Sequence, residues 1–227
     1  MTTRESHPTM KGKTKVLIVD DHPVVREGLA YRINRQPDLV TCAEAATAPE
    51  ALKALSACLP DLAIVDLSLE GRSGLELIRD IKSRYPRLPV LVLSIHDEPA
   101  YAKRALQAGA RGYVMKHEAT ENVLLAIRRV LGGEIYLSDK LASKLLSAAV
   151  AGEMDADGPA ERLSDRELEV FELIGKGMGT RQIAEKLHVS IKTVEAHRAG
   201  IKEKLHLEGA TELAHRAFQW VQSARKM

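Results

Sequence analysis

The sequence predicts an α/β domain, a doubly wound five-stranded parallel sheet, followed by a small all-α domain. Three observations lead there. The runs Val16-Leu17-Ile18-Val19, Leu62-Ala63-Ile64-Val65 and Val90-Leu91-Val92-Leu93 are continuously apolar, as strands buried on both faces of a parallel sheet are. Segments with apolar residues at helical spacing separate these runs, the pattern of βαβ units. No strand pattern returns after residue 160, where capped helical segments follow one another.

In order along the chain, strands are expected at 15–20, 39–45, 61–66, 89–93 and 111–114. Helices are expected at 24–34, 49–58, 75–84, 99–108 and 122–131. Breakers stand between them: Pro60 before the third strand, Gly71 and Gly74 around a loop, Pro86 and Pro89 before the fourth strand, Gly109 before the fifth. The first domain thus spans 14–132, after a polar tail at 1–13 expected to be disordered. Residues 133–160 read as a linker, with an amphipathic helix at 138–150 and then the flexible acidic stretch Ala151-Gly152-Glu153-Met154-Asp155-Ala156-Asp157-Gly158-Pro159. The second domain spans 161–227. Ser164-Asp165-Arg166-Glu167 is a capping box, and its helix ends in the glycine run 175–179. Thr180 is expected to cap a second helix to 187, His188-Val189 to turn the chain, and Ser190 to cap a third helix to about 205. A fourth covers 211–222.

Composition sets bounds. With 45% apolar but only 4% aromatic residues, the core must be built from Leu, Val, Ile and Ala. A net charge of +2 announces no nucleic-acid binder, but residues 176–227 hold ten Lys and Arg against five Asp and Glu, so a basic excess is confined to the C-terminal part. Cys42 and Cys58 have neither metal nor redox spacing, and two thiols make no disulfide framework. The first thirteen residues lack the apolar core of a signal peptide. No run approaches the roughly 18–20 apolar residues of a membrane span. A soluble, cytoplasmic protein without a membrane association is expected.

The carboxyl ends of parallel strands line the crevice where ligands bind, and here each apolar run delivers a polar group as it stops. Asp20 and Asp21 follow the first strand, Asp66 ends the third, Ser94 closes the fourth, and Lys116 follows Tyr113-Val114-Met115. A single Asp at a strand end commonly does no more than cap the next helix. Three carboxylates, a hydroxyl and an ammonium converging on one rim describe a divalent-cation and phosphoryl site. Mg²⁺ prefers oxygen ligands and retains several waters. A carboxylate is a nucleophile that forms acyl phosphates, and Lys116 and Ser94 would hold the phosphoryl oxygens.

At these residues, over about 13–132, the chain resembles the receiver domain of two-component response regulators, which is flavodoxin-like. The resemblance implies that Asp66 accepts a phosphoryl group from a phosphohistidine on a sensor histidine kinase. It implies Mg²⁺ as cofactor, with Asp20 and Asp21 as the acidic pair and Asp66 and the Ser68 carbonyl as further ligands. Ser94 and Lys116 match the switch hydroxyl and the phosphate-pairing lysine, and Tyr113 the switch aromatic. Read alone, Tyr113 is equally a half-buried strand-edge tyrosine. Receivers often carry Ala or Gly where Ile95 stands, so access to Asp66 is expected to be narrowed. Ser68 and His96 lie near the attack path and are candidates to orient water. An aspartyl-nucleophile phosphatase would place a second Asp two residues after the nucleophile, where this chain has Ser68. A receiver serving only as a dimerisation module would not need the complete set of five.

On the third C-terminal helix Val194, Ile201 and Leu205 fall on one stripe, with Lys192, Ala196, Ala199 and Glu203 opposite and Glu195 at the edge. That pattern fits either a solvated face of a protein-binding bundle or a helix presented to a DNA groove. Leu163-Ser164-Asp165-Arg166-Glu167-Leu168-Glu169-Val170, Ile183-Ala184-Glu185-Lys186-Leu187 and Lys192-Thr193-Val194-Glu195-Ala196-His197 resemble the LuxR-type helix-turn-helix DNA-binding domain. Receiver and output domain together look like the NarL/FixJ family of transcriptional regulators, which are not metabolic enzymes. The resemblance implies double-stranded DNA as partner, a homodimer when phosphorylated, and RNA polymerase as a further partner. On DNA, Lys192 would meet guanine or phosphate, Glu195 cytosine N4, and Ala196 and Ala199 thymine methyls. Thr193, His197 and Lys202 would meet the backbone. Glu195 has a second reading, a surface pair with Arg198. The unphosphorylated receiver is expected to cover or misplace this third helix.

Overall fold

Both faces of the sheet are covered, which is why β1, β3 and β4 read as apolar runs, whereas the edge strand β2 is mostly half-buried. A computed structural model describes residues 12–95, 99–150 and 162–226; the acidic stretch at 151–160, His96 and nearly all of the N-terminal tail lie outside the described residues. Strands β1 (Thr14–Val19), β2 (Leu39–Ala45), β3 (Leu62–Asp66), β4 (Val90–Ser94) and β5 (Gly112–Met115) form one sheet in the order β2-β1-β3-β4-β5, every pair parallel. Val16 and Ile18 pack with α1 (Pro23–Asn34) and α5 (Ala119–Leu131). Leu17 and Val19 pack with α2 (Ala48–Cys58), α3 (Gly74–Arg84) and α4 (Pro99–Gln107) on the other face. Each such buried side chain contributes about 1.5–3 kcal/mol. The strand order reverses beside β1, and that switch point opens the crevice at the carboxyl ends of β1 and β3.

Local sequence sets the helix starts. Pro23 opens α1, the Thr47 hydroxyl accepts from the Glu50 N–H before α2, and the Ser73 hydroxyl accepts from the Leu75 N–H before α3. Element ends depart from the sequence expectation by a residue or so. β1 stops at Val19, leaving Asp20 as the first loop residue. β4 and β5 run on to Ser94 and Met115 because backbone pairing persists to Ser94↔Met115. α5 starts at Ala119, three residues earlier than expected.

Beyond α5 the chain stays attached to the sheet. The Tyr113 N–H donates to the Tyr136 carbonyl and the Tyr136 N–H to the Arg111 carbonyl, and Tyr136 is buried. Helix α6 (Asp139–Val150) follows, with Leu141 buried.

The C-terminal helices are α7 (Asp165–Gly175), α8 (Thr180–Lys186), α9 (Ile191–Leu205) and α10 (Ala210–Lys226). The capping box is present: the Glu167 N–H donates to the Ser164 hydroxyl at 3.3 Å and the Ser164 N–H to the Glu167 carboxylate at 2.7 Å. Gly179, not Thr180, stands at the cap of α8, its N–H donating to Gln182 Oε1. Ser190 caps α9 as expected. Leu168, Phe171, Ile183, Val194, Ile201, Leu213 and Ala217 form the apolar centre, with Trp220 tilted against Phe171. Gly175 lets α7 and α10 cross closely, since a Cβ there would lie 2.4 Å from the Ala217 carbonyl oxygen.

Glu167 also accepts from Lys204 Nζ at 2.6 Å, tying α9 to the start of α7. Burial pushes its carboxyl up, but Lys204 and the Ser164 donors outweigh burial and hold it below the usual carboxylate range. A carboxyl lowered on folding adds stability above its unfolded pKa, and that stability is lost as pH falls through the folded value. Glu167→Gln should therefore cost the C-terminal domain about 1 kcal/mol near neutrality. In thermal melts across the acid range, the difference from wild type should shrink to nothing once Glu167 is protonated.

Candidate functional site

The structure brings together the polar groups at the carboxyl ends of β1, β3 and β5. Lys116, just past β5, places its Nζ 2.7 Å from Asp66 Oδ2 and 2.8 Å from Asp20 Oδ2. Both carboxylates are buried, Asp20 at 1% and Asp66 at 0% exposure. Asp20 is fixed from three sides: its N–H donates to the Ala45 carbonyl, its carbonyl accepts from Arg26, and its Oδ1 accepts from the His22 N–H. Asp66 Oδ1 accepts from the Ser68 N–H at 3.2 Å. Gly74 permits this close build. A Cβ there would lie 2.0 Å from the Asp66 carbonyl oxygen, so only glycine lets the start of α3 settle against the end of β3.

Burial pushes the Asp66 carboxyl up, and the charge of Asp20 adds to this, against the pull of Lys116. Burial works the other way on Lys116, yet Asp66 and Asp20 outweigh it and keep the ammonium protonated more firmly than usual. Ser94 is fully buried at the end of β4, and the Lys116 N–H donates to its carbonyl. Tyr113 is 0% exposed, a core residue rather than a half-buried edge one.

Ligand atoms of Asp20, Asp21, His22 and Asp66 lie within 4.8 Å of one another. Three carboxylates face one ammonium there. That is a donor set of hard oxygens with charge left to neutralise, and it fits Mg²⁺. His22 was not anticipated; its Nδ1 lies 2.6 Å from Asp21 Oδ1. Adjacency to the acidic pair was the only signal in the sequence.

The C-terminal domain docks on this same rim. Asp165, at the start of α7, is gripped by Arg79 of α3 at 2.6 Å and Arg104 of α4 at 2.7 Å, and Arg104 also donates to the Leu163 carbonyl. Between the domains lies a cavity of about 110 Å³. Asp21, His22, Ser68 and the half-exposed Ile95 form its receiver wall. Glu169 and Leu173 of α7, with Lys186, Leu187 and His188 at the end of α8, form its roof.

Of the two expected alternatives, that the receiver covers or misplaces the third C-terminal helix, covering is not what the structure shows. On α9, Lys192, Glu195, Ala196, Ala199 and Glu203 are exposed, while Val194 and Ile201 are buried within their own domain. The carboxylate that both receiver arginines meet, Asp165, sits at the start of α7, so α7 and the end of α8 make the contact. Thr193 is engaged in the Ser190 cap through both its N–H and its hydroxyl. His197 is half-buried, its imidazole pulled down by burial and by Arg166. Glu195, Ala199 and the half-buried Lys202 border a groove of about 180 Å³ shared with Ala210 and Leu213. Among the described residues Glu195 makes no ion pair with Arg198.

Comparisons with known proteins agree with both halves. Residues 16–128 match the response regulator receiver domain, and residues 161–217 match the bacterial regulatory proteins of the luxR family. The oxygen regulatory protein NreC of Staphylococcus haemolyticus is 40% identical over 210 residues, 90% of this chain and 97% of that protein. RcsB of Salmonella enterica serovar Typhimurium, solved bound to promoter rprA in the presence of phosphomimetic BeF₃⁻, is 28% identical with a TM-score of 0.60, over 91% of this chain and 99% of that one. A structure of two RcsB dimers bound to two parallel DNAs is 26% identical with a TM-score of 0.58, over 94% and 99%. The chain belongs to the two-component response regulators that join a receiver to a LuxR-type DNA-binding domain, a family of phosphorylation-controlled transcription regulators. Among the described residues no helix is long and apolar enough to cross a membrane.

The domain contact yields a test. Arg104 and Asp165 are nearly buried, 11% and 7% exposed, and removing one partner of such a pair leaves the other charge stranded. Arg104→Ala should weaken docking by roughly 3 kcal/mol while both domains stay folded. Small-angle scattering should report a larger radius of gyration with an unchanged circular dichroism spectrum.

Proposed function

We propose that Asp66 is the phosphoacceptor of this regulator and that Asp20, Asp21, Asp66 and the Ser68 carbonyl hold Mg²⁺ beside it. The observation that carries this is the Lys116 ammonium lying 2.7 Å from Asp66 Oδ2 and 2.8 Å from Asp20 Oδ2 on a buried rim. The donor is a phosphohistidine on a sensor histidine kinase. Asp66 attacks the phosphorus and the histidine nitrogen leaves with the bonding pair. Lys116 and the Ser94 hydroxyl then hold the new phosphoryl oxygens, with Tyr113 as the switch aromatic. When bound, Mg²⁺ neutralises charge on the transferring oxygens. The aspartyl phosphate is a switch and not a step in metabolic catalysis. Asp66→Asn keeps the size of the side chain and removes the nucleophile, so transfer of labelled phosphate from a competent kinase should vanish with the fold intact. Label retained on the Asn variant would identify another acceptor.

Phosphorylation and docking compete. The cavity of about 110 Å³ that the C-terminal domain roofs is lined by Asp21 and Ser68, two of the proposed Mg²⁺ ligands, so a kinase domain that reaches Asp66 needs that roof lifted. Docking also holds α9 away from the symmetric pairing that two half-sites demand, so it misplaces the helix without covering it. A hundredfold change in DNA affinity requires about 2.7 kcal/mol of such coupling. Phosphorylation favours the undocked chain and a homodimer on double-stranded DNA in the cytoplasm, with RNA polymerase as the further partner.

On DNA, the exposed face of α9 enters the major groove with its N-terminal residues deepest. Lys192 and Glu195 read bases, Ala196 and Ala199 lie against thymine methyls, and Thr193, His197 and Lys202 attend the backbone. Glu195→Ala should relax specificity at one position per half-site, losing about 1–3 kcal/mol of discrimination in a binding-site selection. An unchanged site preference would make Glu195 a surface charge.

A further inference from the structure

Cys42 and Cys58 lie sixteen positions apart in sequence, yet their sulfurs meet at 2.7 Å. Two features of the fold bring them together. In the pairing of β1 with β2, Val16 lies opposite Thr41 and Leu17 opposite Ala43, so the register skips Cys42. Cys42 is thus the extra residue of a bulge, a device that re-aims a side chain, and here it is aimed at α2. Cys58 is the last residue of α2, where Leu59 adopts a left-handed cap at φ 46° and ends the helix beside β2. Both thiols are half-buried, in contact with each other and still open to solvent.

We infer that Cys42 and Cys58 are a modification site on the receiver, forming a reversible intramolecular disulfide by exchange with a small-molecule disulfide. The Cys58 thiolate, at the open end of α2, attacks one sulfur of the small disulfide and releases its other half as a thiolate. The Cys42 thiolate then attacks the Cys58 sulfur of the mixed disulfide and releases the second half. The two protein thiols lose two protons and two electrons, and one small disulfide becomes two thiols. Burial, and after it the neighbouring Cys58, pushes the Cys42 thiol up to about 12, so the pair reacts slowly near neutrality and faster as pH rises. The bond staples the edge strand β2 to α2, and β2 supplies the Ala45 carbonyl that anchors the Asp20 N–H.

The full-length chain, treated with oxidised glutathione and measured by intact mass and non-reducing peptide mapping, tests this. The wild type should lose two hydrogens and yield one linked peptide joining Cys42 to Cys58. Its melting temperature should rise by about 5–10 °C, as closing a loop of this length implies, and dithiothreitol should reverse both changes. Cys42→Ser should instead stop at a single glutathione adduct on Cys58. Separate adducts on both cysteines of the wild type, links only between chains, or unreacted thiols would each overturn the proposal.

Discussion

The structure turns on one ammonium between two buried carboxylates. Asp20 and Asp66 follow adjacent strands and are both buried, so without Lys116 their like charges would oppose each other. Lys116 arrives from β5, two strands away from β3, so the rim assembles only if the whole parallel sheet does. Fold and chemistry are therefore inseparable here. The His22 and Ser68 N–H groups hold the Asp20 and Asp66 carboxylates in place, and Arg26 holds the Asp20 backbone carbonyl.

The second domain exploits this rim as a docking surface. A DNA-binding domain can be restrained by hiding its reading helix, but this chain restrains the domain from behind. Asp165 of α7 meets both Arg79 and Arg104, and α9 keeps its polar face in solvent. What the docked domain covers is the side of the rim that Asp21, His22, Ser68 and Ile95 form. On the proposed function, any coupling between the two sites is reciprocal: phosphate and pairing on DNA would each make the other event easier by the same free energy.

Much of this was legible from the chain. Continuous apolar runs fixed the sheet, and the polar residue at the end of each run fixed the rim, because a parallel sheet sends every strand end to one edge. Ser164 and Ser190 named their helices through local hydrogen bonding. Strand limits at Ser94 and Met115 were harder, since pairing continues one residue beyond the apolar run. The grip on Asp165 was invisible for a different reason. Its arginines lie 86 and 61 positions away, and no periodicity says which arginine meets which aspartate. Asp165 itself read only as part of a capping box. The approach of Cys42 to Cys58 was hidden likewise, because it depends on a bulge that no residue pattern in β2 announces, and Gly74 read as a loop breaker although its role is to clear space for Asp66.

The most direct measurement is the distance between a spin label on an exposed site of α1 and one on the exposed face of α10, in the full chain, with and without Mg²⁺ and beryllofluoride. If phosphoryl chemistry and docking compete for one rim, the unliganded chain gives a short, narrow distribution, and beryllofluoride shifts it to a longer and broader one. An unchanged short distribution with beryllofluoride bound at Asp66 would contradict the account, because the pocket would then fill without lifting its roof.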